Sequence, residues 1–174
     1  MIPNYKYIEE KAESLLKAQL LYCANFNIKL LAEKLKIQLI EKDFNDDVAG
    51  FFVISNGKPV ITYKNDILNE HRTRFTIAHE IGHYSLHAKE QPIFIDKTPK
   101  VMYRNTASST GEMLKEREAN AFAAALLMPK DLLVNEINKA VNHIDDAIIH
   151  LADMFGVSQQ AMTFRLSNLG YDIG

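Results

Sequence analysis

Along residues 5–21 the apolar side chains Ile8, Ala12, Leu15, Leu16 and Leu20 recur at helical spacing while Glu and Lys fill the opposite face, which predicts an amphipathic helix. A second stripe, Ile28, Leu31, Ala32 and Leu35, opens near Asn27 and gives way to Ile37, Leu39 and Ile40, which read as a strand. Between residues 48 and 63 the runs GFFVIS and KPVITY flank Asn56-Gly57, the clearest β pattern in the chain. An Asn-Gly pair suits a type I′ turn, whose positive φ angles match the twist of a two-stranded hairpin. A small sheet of about three strands is therefore expected before residue 69. Residues 69–88 return to helical spacing but are apolar on several sides, which predicts a helix buried inside the fold. Residues 91–111 hold two prolines, a short PIFID strand candidate and the polar stretch NTASSTG, and read as a loop. Another helix is expected over about 112–128, stopped by Pro129, with at least two more between 131 and 169. Helix, small sheet, then mostly helix is the order of an α+β domain.

No internal repeat and no Gly/Ser/Pro-rich linker divides the chain, so residues 1–174 are expected to form a single domain, with 131–174 as its C-terminal helices. Lys and Arg number 20 against 22 Asp and Glu, a net charge of -2, which argues against a broad basic surface that would hold nucleic acid by counterion release. The lone cysteine, Cys23, cannot close an internal disulfide; it reads as a small buried hydrophobe, and nothing requires an oxidising compartment. The opening MIPNYKYIEEK lacks the apolar core of a signal peptide, and the most apolar run, 119–128, is about half the length of a bilayer span. A cytoplasmic location is expected.

The predicted buried helix contains His79-Glu80-Ile81-Gly82-His83, the HExxH pattern. Histidines four apart on a helix share a face, so their imidazoles can converge on one cation. Glu80 is rotated by about 100° from His79, too far round to join them but placed to reach a water on the metal. Two imidazoles and a carboxylate without partners on an otherwise apolar helix would cost several kcal/mol, and a metal satisfies all three. The pattern alone arises by chance in about 1–2 % of chains of this length and composition, so a further feature is needed.

A catalytic zinc site needs a third protein ligand and an open position. His87 lies about 12 Å along the helix axis from His79 and cannot share its metal, which leaves it behind a ligand or in the core or rim. The better supply is the following helix, whose stripe Ala119, Phe122, Ala123, Leu126 and Leu127 faces inward. Glu116 lies about 50° from the centre of that stripe and Glu118 about 110°, so Glu116 is the better inward carboxylate, with Glu118, read as a solvated surface acid, the alternative. Asn120, one turn on, is placed to steady a ligand by a hydrogen bond.

The stretch RTRFTIAHEIGHYSLH at residues 72–87, followed by EREANAFAAALLMP at 116–129, resembles the ImmA/IrrE family of zinc metallopeptidases. Both motifs occur in order behind a helical segment and a small sheet, so the resemblance covers most of the chain. It implies a mostly helical, zincin-like fold with the metal site within residues 1–130. It also implies one zinc held by His79, His83 and Glu116, with Glu80 as catalytic base. Zinc would acidify its water and polarise a scissile carbonyl, and Glu80 would take the water's proton and deliver it to the leaving amine. The implied substrate is a specific cytosolic protein such as a helix-turn-helix repressor of a mobile element or stress response.

Four subsidiary expectations follow. The strand at 59–63 is a candidate sheet edge for an extended peptide. Tyr84, Tyr103 and Arg104 are candidate stabilisers of a developing oxyanion, and the polar loop 97–111 is a candidate gate. Residues 148–172 have the form of a helix-turn-helix, with Gly156 ending one helix and Ser158 capping the next. From 145 to 174, however, four Asp face one Arg, and phosphate would repel that charge, so two packed helices are expected instead. A metal-binding regulator acting by docking, or a DNA-binding regulator using these helices, are the alternatives to a peptidase.

Overall fold

Asn4 caps the first helix, α1 (Tyr5–Ala18), by accepting from the Tyr7 amide at 3.1 Å, and the stripe Ile8, Ala12 and Leu16 is buried. The structure is a computed structural model and describes residues 2–43, 48–90, 93–97, 109–137 and 144–171. Asn27 caps α2 (Ile28–Lys34), its side chain accepting from the amides of Lys29 and Leu30 at 3.0 Å. Cys23, in the segment between these helices, is exposed rather than buried as its residue type suggested.

The sheet has the order β1-β3-β2-β4 among the described residues, built from β1 (Gln38–Glu41), β2 (Val48–Ser55), β3 (Lys58–Tyr63) and β4 (Ile93–Lys97). Asn56 and Gly57 both have positive φ, 50° and 74°, so the β2–β3 connection is the left-handed turn that the Asn-Gly pair favours. The PIFID segment adds a fourth strand, antiparallel to β2. Strand β3 is not an edge: β2 pairs with it antiparallel on one side and β1 parallel on the other, from Gln38 opposite Val60 to Glu41 opposite Tyr63. The expectation of a free edge at 59–63 fails because β1 already occupies its hydrogen-bonding groups.

Asn69 caps α3 (Glu70–His87) by accepting from the Arg72 amide at 3.0 Å. This helix lies between β2 and β3 on one side and α4 (Ser109–Leu127) on the other. Burial from two sides explains an apolar pattern that no single stripe describes: Ile77, Ala78 and Ile81 are all fully covered. Helix α1 packs against α4 from outside. Phe52 of the sheet, Leu16 of α1, Ile77 and Ile81 of α3, and Phe122 and Leu126 of α4 meet in the core, each contributing about 1.5–3 kcal/mol by burial.

Helices α5 (Lys130–Ile137), α6 (Ile144–Phe155) and α7 (Gln159–Asn168) follow Pro129. Gly156 ends α6 at φ 64° and the Ser158 hydroxyl caps α7, accepting from the Ala161 amide at 3.1 Å. The helix-turn-helix form is therefore present, and it is anchored inward. Arg165 of α7 is buried, donates Nε to the Met128 carbonyl at 3.1 Å and Nη2 to Glu9 of α1 at 2.8 Å, and pairs through Nη1 with the same carboxylate. Among the described residues no helix is long and apolar enough to cross a membrane.

Candidate metal centre

The helical rotation between His79 and Glu80 sends their side chains to different neighbours. His79 and His83 face α4, while the fully buried Glu80 lies against β2 at Gly50. A Cβ at Gly50 would stand 2.8 Å from the Thr76 methyl and 3.2 Å from the Thr62 carbonyl, so glycine lets β2 lie close against α3 beside the Glu80 carboxylate. Gly82, inside the HExxH motif, does the same on the other face. A Cβ there would lie 3.1 Å from the Ala119 carbonyl oxygen and 3.2 Å from Ala119 Cα. The bare backbone lets α4 approach α3 closely enough to deliver its acids.

Glu116 comes within 3.2 Å of His79 Nε2 through Oε2 and 3.3 Å of His83 Nε2 through Oε1, and the two Nε2 atoms are 2.9 Å apart. Glu118 instead reaches His87, its Oε2 2.9 Å from Nε2. The two acids are thus separated by the structure: Glu116 joins the histidine pair and Glu118 does not. Nor is Glu118 the solvated surface acid its distance from the stripe suggested, because α3 runs past the crossing and presents His87 to it.

The imidazoles are oriented from behind. Asn120 Oδ1 accepts from His79 Nδ1 at 3.0 Å, which turns the Nε2 lone pair of a neutral His79 toward Glu116. His83 Nδ1 lies 3.3 Å from His87 Nδ1, so the buried His87 sits between His83 and Glu118. Burial pushes the His83 imidazole down to about 4, against the upward pull of Glu116, and His87 is likewise lowered, first by burial. Burial by itself would raise the Glu116 carboxyl, but the His79 and His83 imidazoles outweigh it and hold it at about 2. The group therefore holds a His83 imidazole biased to neutrality and a Glu116 carboxylate biased to its anion.

That donor set fits a divalent cation. With an Nδ1 engaged behind each imidazole, the two Nε2 atoms and the carboxylate converge on one point, where a cation replaces the protons that His79 and His83 share with Glu116. Ligands bonded to zinc at about 2.0–2.2 Å in a tetrahedron stand about 3.3–3.6 Å apart, close to the separations present here. Among the described residues, His79, His83 and Glu116 are a group whose donor atoms all lie within 4.8 Å of one another.

Of the other candidates, Tyr84 is half-buried with its ring edge-on to Phe52 at 5.6 Å. Tyr103, Arg104 and residues 98–108 of the expected gate lie outside the described residues. The sequence reading missed Gly50, Gly82 and the pairing of His87 with Glu118. Gly82 carried a signal, because glycine in a helix interior costs about 1 kcal/mol against alanine and so marks a close approach.

Two histidines one turn apart, a carboxylate from the next helix and a small sheet behind them are the parts of an HExxH metallopeptidase. The chain belongs to the Peptidase_M78 family, whose model, described as the IrrE N-terminal-like domain, matches residues 32–167. Over 119 residues, 68 % of this chain and 68 % of the relative, it is 29 % identical to a protein of Bacillus phage phi105 named "Uncharacterized immunity region protein 2". A solved Mycobacterium tuberculosis transcriptional regulator shares the fold with a TM-score of 0.63 at 18 % identity, over 97 % of this chain and 49 % of that one. This chain thus spans about half the length of that structure.

Proposed function

We propose that the protein is a zinc-dependent endopeptidase that cleaves a specific cytosolic protein, such as a helix-turn-helix repressor of a mobile element or stress response. Residues 1–174 act as one metallopeptidase domain, with His79, His83 and Glu116 holding zinc and Glu80 as catalytic base. The observation that carries this reading is the convergence of His79, His83 and Glu116 on one point beside a buried glutamate of the same helix. When bound, zinc supplies Lewis acidity that polarises a scissile carbonyl and acidifies a water. Glu80 accepts the proton of the attacking water at its carboxylate and returns it to the leaving nitrogen. Asn120 fixes the ring of His79 through Nδ1 so that Nε2 keeps its aim.

Family membership supports a metallopeptidase, and the imidazole and carboxylate donor set supports catalytic rather than closed structural zinc. A regulatory protein as substrate is supported by the relatives, an immunity region protein of a phage and a transcriptional regulator. The DNA-binding alternative is weakened by Arg165, the basic residue of the acidic C-terminal segment, whose guanidinium is turned inward to Glu9 and Met128. Comparison of newly created protein N-termini in cells expressing wild type or Glu80→Gln tests the reading. Wild type is expected to generate a small set of new termini that Glu80→Gln, still loaded with zinc, does not. Identical termini from both zinc-loaded proteins would rule the peptidase reading out.

A further inference from the structure

Two acids two residues apart on α4 both serve α3, and only one of them has a role in the reading above. Glu118 is partly buried and ends a line of groups that leads back to His83: Glu118 Oε2 to His87 Nε2 at 2.9 Å, then His87 Nδ1 to His83 Nδ1 at 3.3 Å. With His83 Nε2 given to the metal, the chemistry of each remaining group fixes where the protons lie. A carboxylate only accepts, so His87 donates from Nε2. A neutral His87 then has a bare Nδ1, which accepts, and the proton between the two rings belongs to Nδ1 of His83. His83 is left with a lone pair on Nε2, the atom that lies beside Glu116 and His79 Nε2.

We infer that Glu118 and His87 are positioning residues that hold His83 as its Nδ1–H tautomer, reserving Nε2 for the metal. The inference rests on the zinc reading of His79, His83 and Glu116. It explains why a histidine too far along the helix to be a ligand is nevertheless buried, and why its partner comes from the helix that also carries Glu116. His79 has a simpler counterpart in Asn120, so each imidazole has its own acceptor behind it. Without the His87 acceptor, the His83 proton is free to move to Nε2, where it blocks coordination until it is displaced.

Zinc affinity, read by competition with a chromophoric chelator, tests the inference on wild type, His87→Phe, His87→Asn, Glu118→Ala and Glu118→Gln, with His83→Ala as reference. His87→Phe is expected to weaken zinc binding by about 10–100-fold, and Glu118→Ala by about tenfold. His87→Asn, whose amide oxygen stands near the former Nδ1, is expected to restore most of the affinity, a rescue that a merely space-filling role for His87 does not give. Nitrogen-15 NMR of histidine-labelled, zinc-loaded protein reads the hydrogen bond itself: a His83 Nδ1–H protected from exchange in wild type, and faster exchange of that proton in His87→Phe and Glu118→Ala. If His87→Phe fails to fold, the two Glu118 variants, at a partly exposed position, decide the matter. Zinc binding that requires His83 yet is equally tight in wild type, His87→Phe and Glu118→Ala overturns the positioning role. Wild type binding zinc no better than His83→Ala overturns the zinc reading instead, and with it the positioning role that rests on it.

Discussion

Replacing Gly82 with alanine adds one methyl group at the crossing of α3 and α4. The new carbon would stand 3.1 Å from the Ala119 carbonyl oxygen, 3.2 Å from Ala119 Cα and 3.3 Å from Phe122 Cβ. Two of these neighbours are backbone and cannot swing aside. Carbon atoms rest comfortably at about 3.5–4.0 Å, so the helices must separate by a few tenths of an ångström. Overpacking of this kind costs about 1–3 kcal/mol, and the helix preference of alanine over glycine offsets about 1 kcal/mol of it. A net loss of about 0–2 kcal/mol remains, which lowers Tm by about 2–4 °C per kcal/mol for a chain of this size. The larger consequence falls on the site. Glu116 precedes Ala119 by three residues on α4 and retreats with it, so its oxygens draw back from Nε2 of both His79 and His83. Zinc affinity is expected to fall by about tenfold or more, a far clearer signal than the melt. Chelator competition and thermal melting of the metal-free protein measure the two effects. A Gly82→Ala protein that melts above wild type and binds zinc as tightly would show that the close approach at Ala119 does not set the site.

Other consequences can be measured separately. Asn120→Ala, at an exposed position on α4, removes the acceptor behind His79 and is expected to weaken zinc about tenfold while leaving the metal-free melting temperature nearly unchanged; unchanged affinity would mean that Asn120 does not hold the ring. Glu9→Ala strips the buried Arg165 of its carboxylate and leaves the Met128 carbonyl as acceptor, and urea unfolding is expected to show a loss of about 2 kcal/mol, less than for a fully buried pair because Glu9 is partly exposed. A loss within error of zero would mean that the C-terminal helices are not anchored there. Burial, with Glu13 beside it, pushes the Tyr22 phenol up to about 12 from an ordinary 10.0. A pKa raised in the folded state gives stability that is complete below pH 10 and lost as pH climbs toward 12. Melting temperature should therefore drop across that interval, and less so in Tyr22→Phe; equal slopes in the two proteins would refute the assignment to Tyr22.

The periodic parts of the chain announced themselves. Ser158 caps a helix and Asn56-Gly57 makes the left-handed turn as expected, because these features are decided within a few residues. The HExxH spacing placed His79 and His83 on one face, and the stripe on α4 turned Glu116 toward them. What escaped was set by contacts distant in sequence. Strand β3 looked like an edge because nothing local says that β1 pairs with it in parallel. Glu118 looked like a surface acid because its angle was judged against one helix axis, whereas its partner, His87, lies one turn further along α3 than His83. Cys23 looked buried from its residue type alone, and lies exposed beyond the end of α1.

The most direct measurement is the metal content of purified protein by elemental mass spectrometry, for wild type, His83→Ala and Glu116→Ala, after dialysis against metal-free buffer. About one zinc per chain is expected in wild type and almost none in either variant, each of which lacks one of three ligands. Wild type without metal, or His83→Ala retaining a full equivalent of zinc, would contradict the zinc reading.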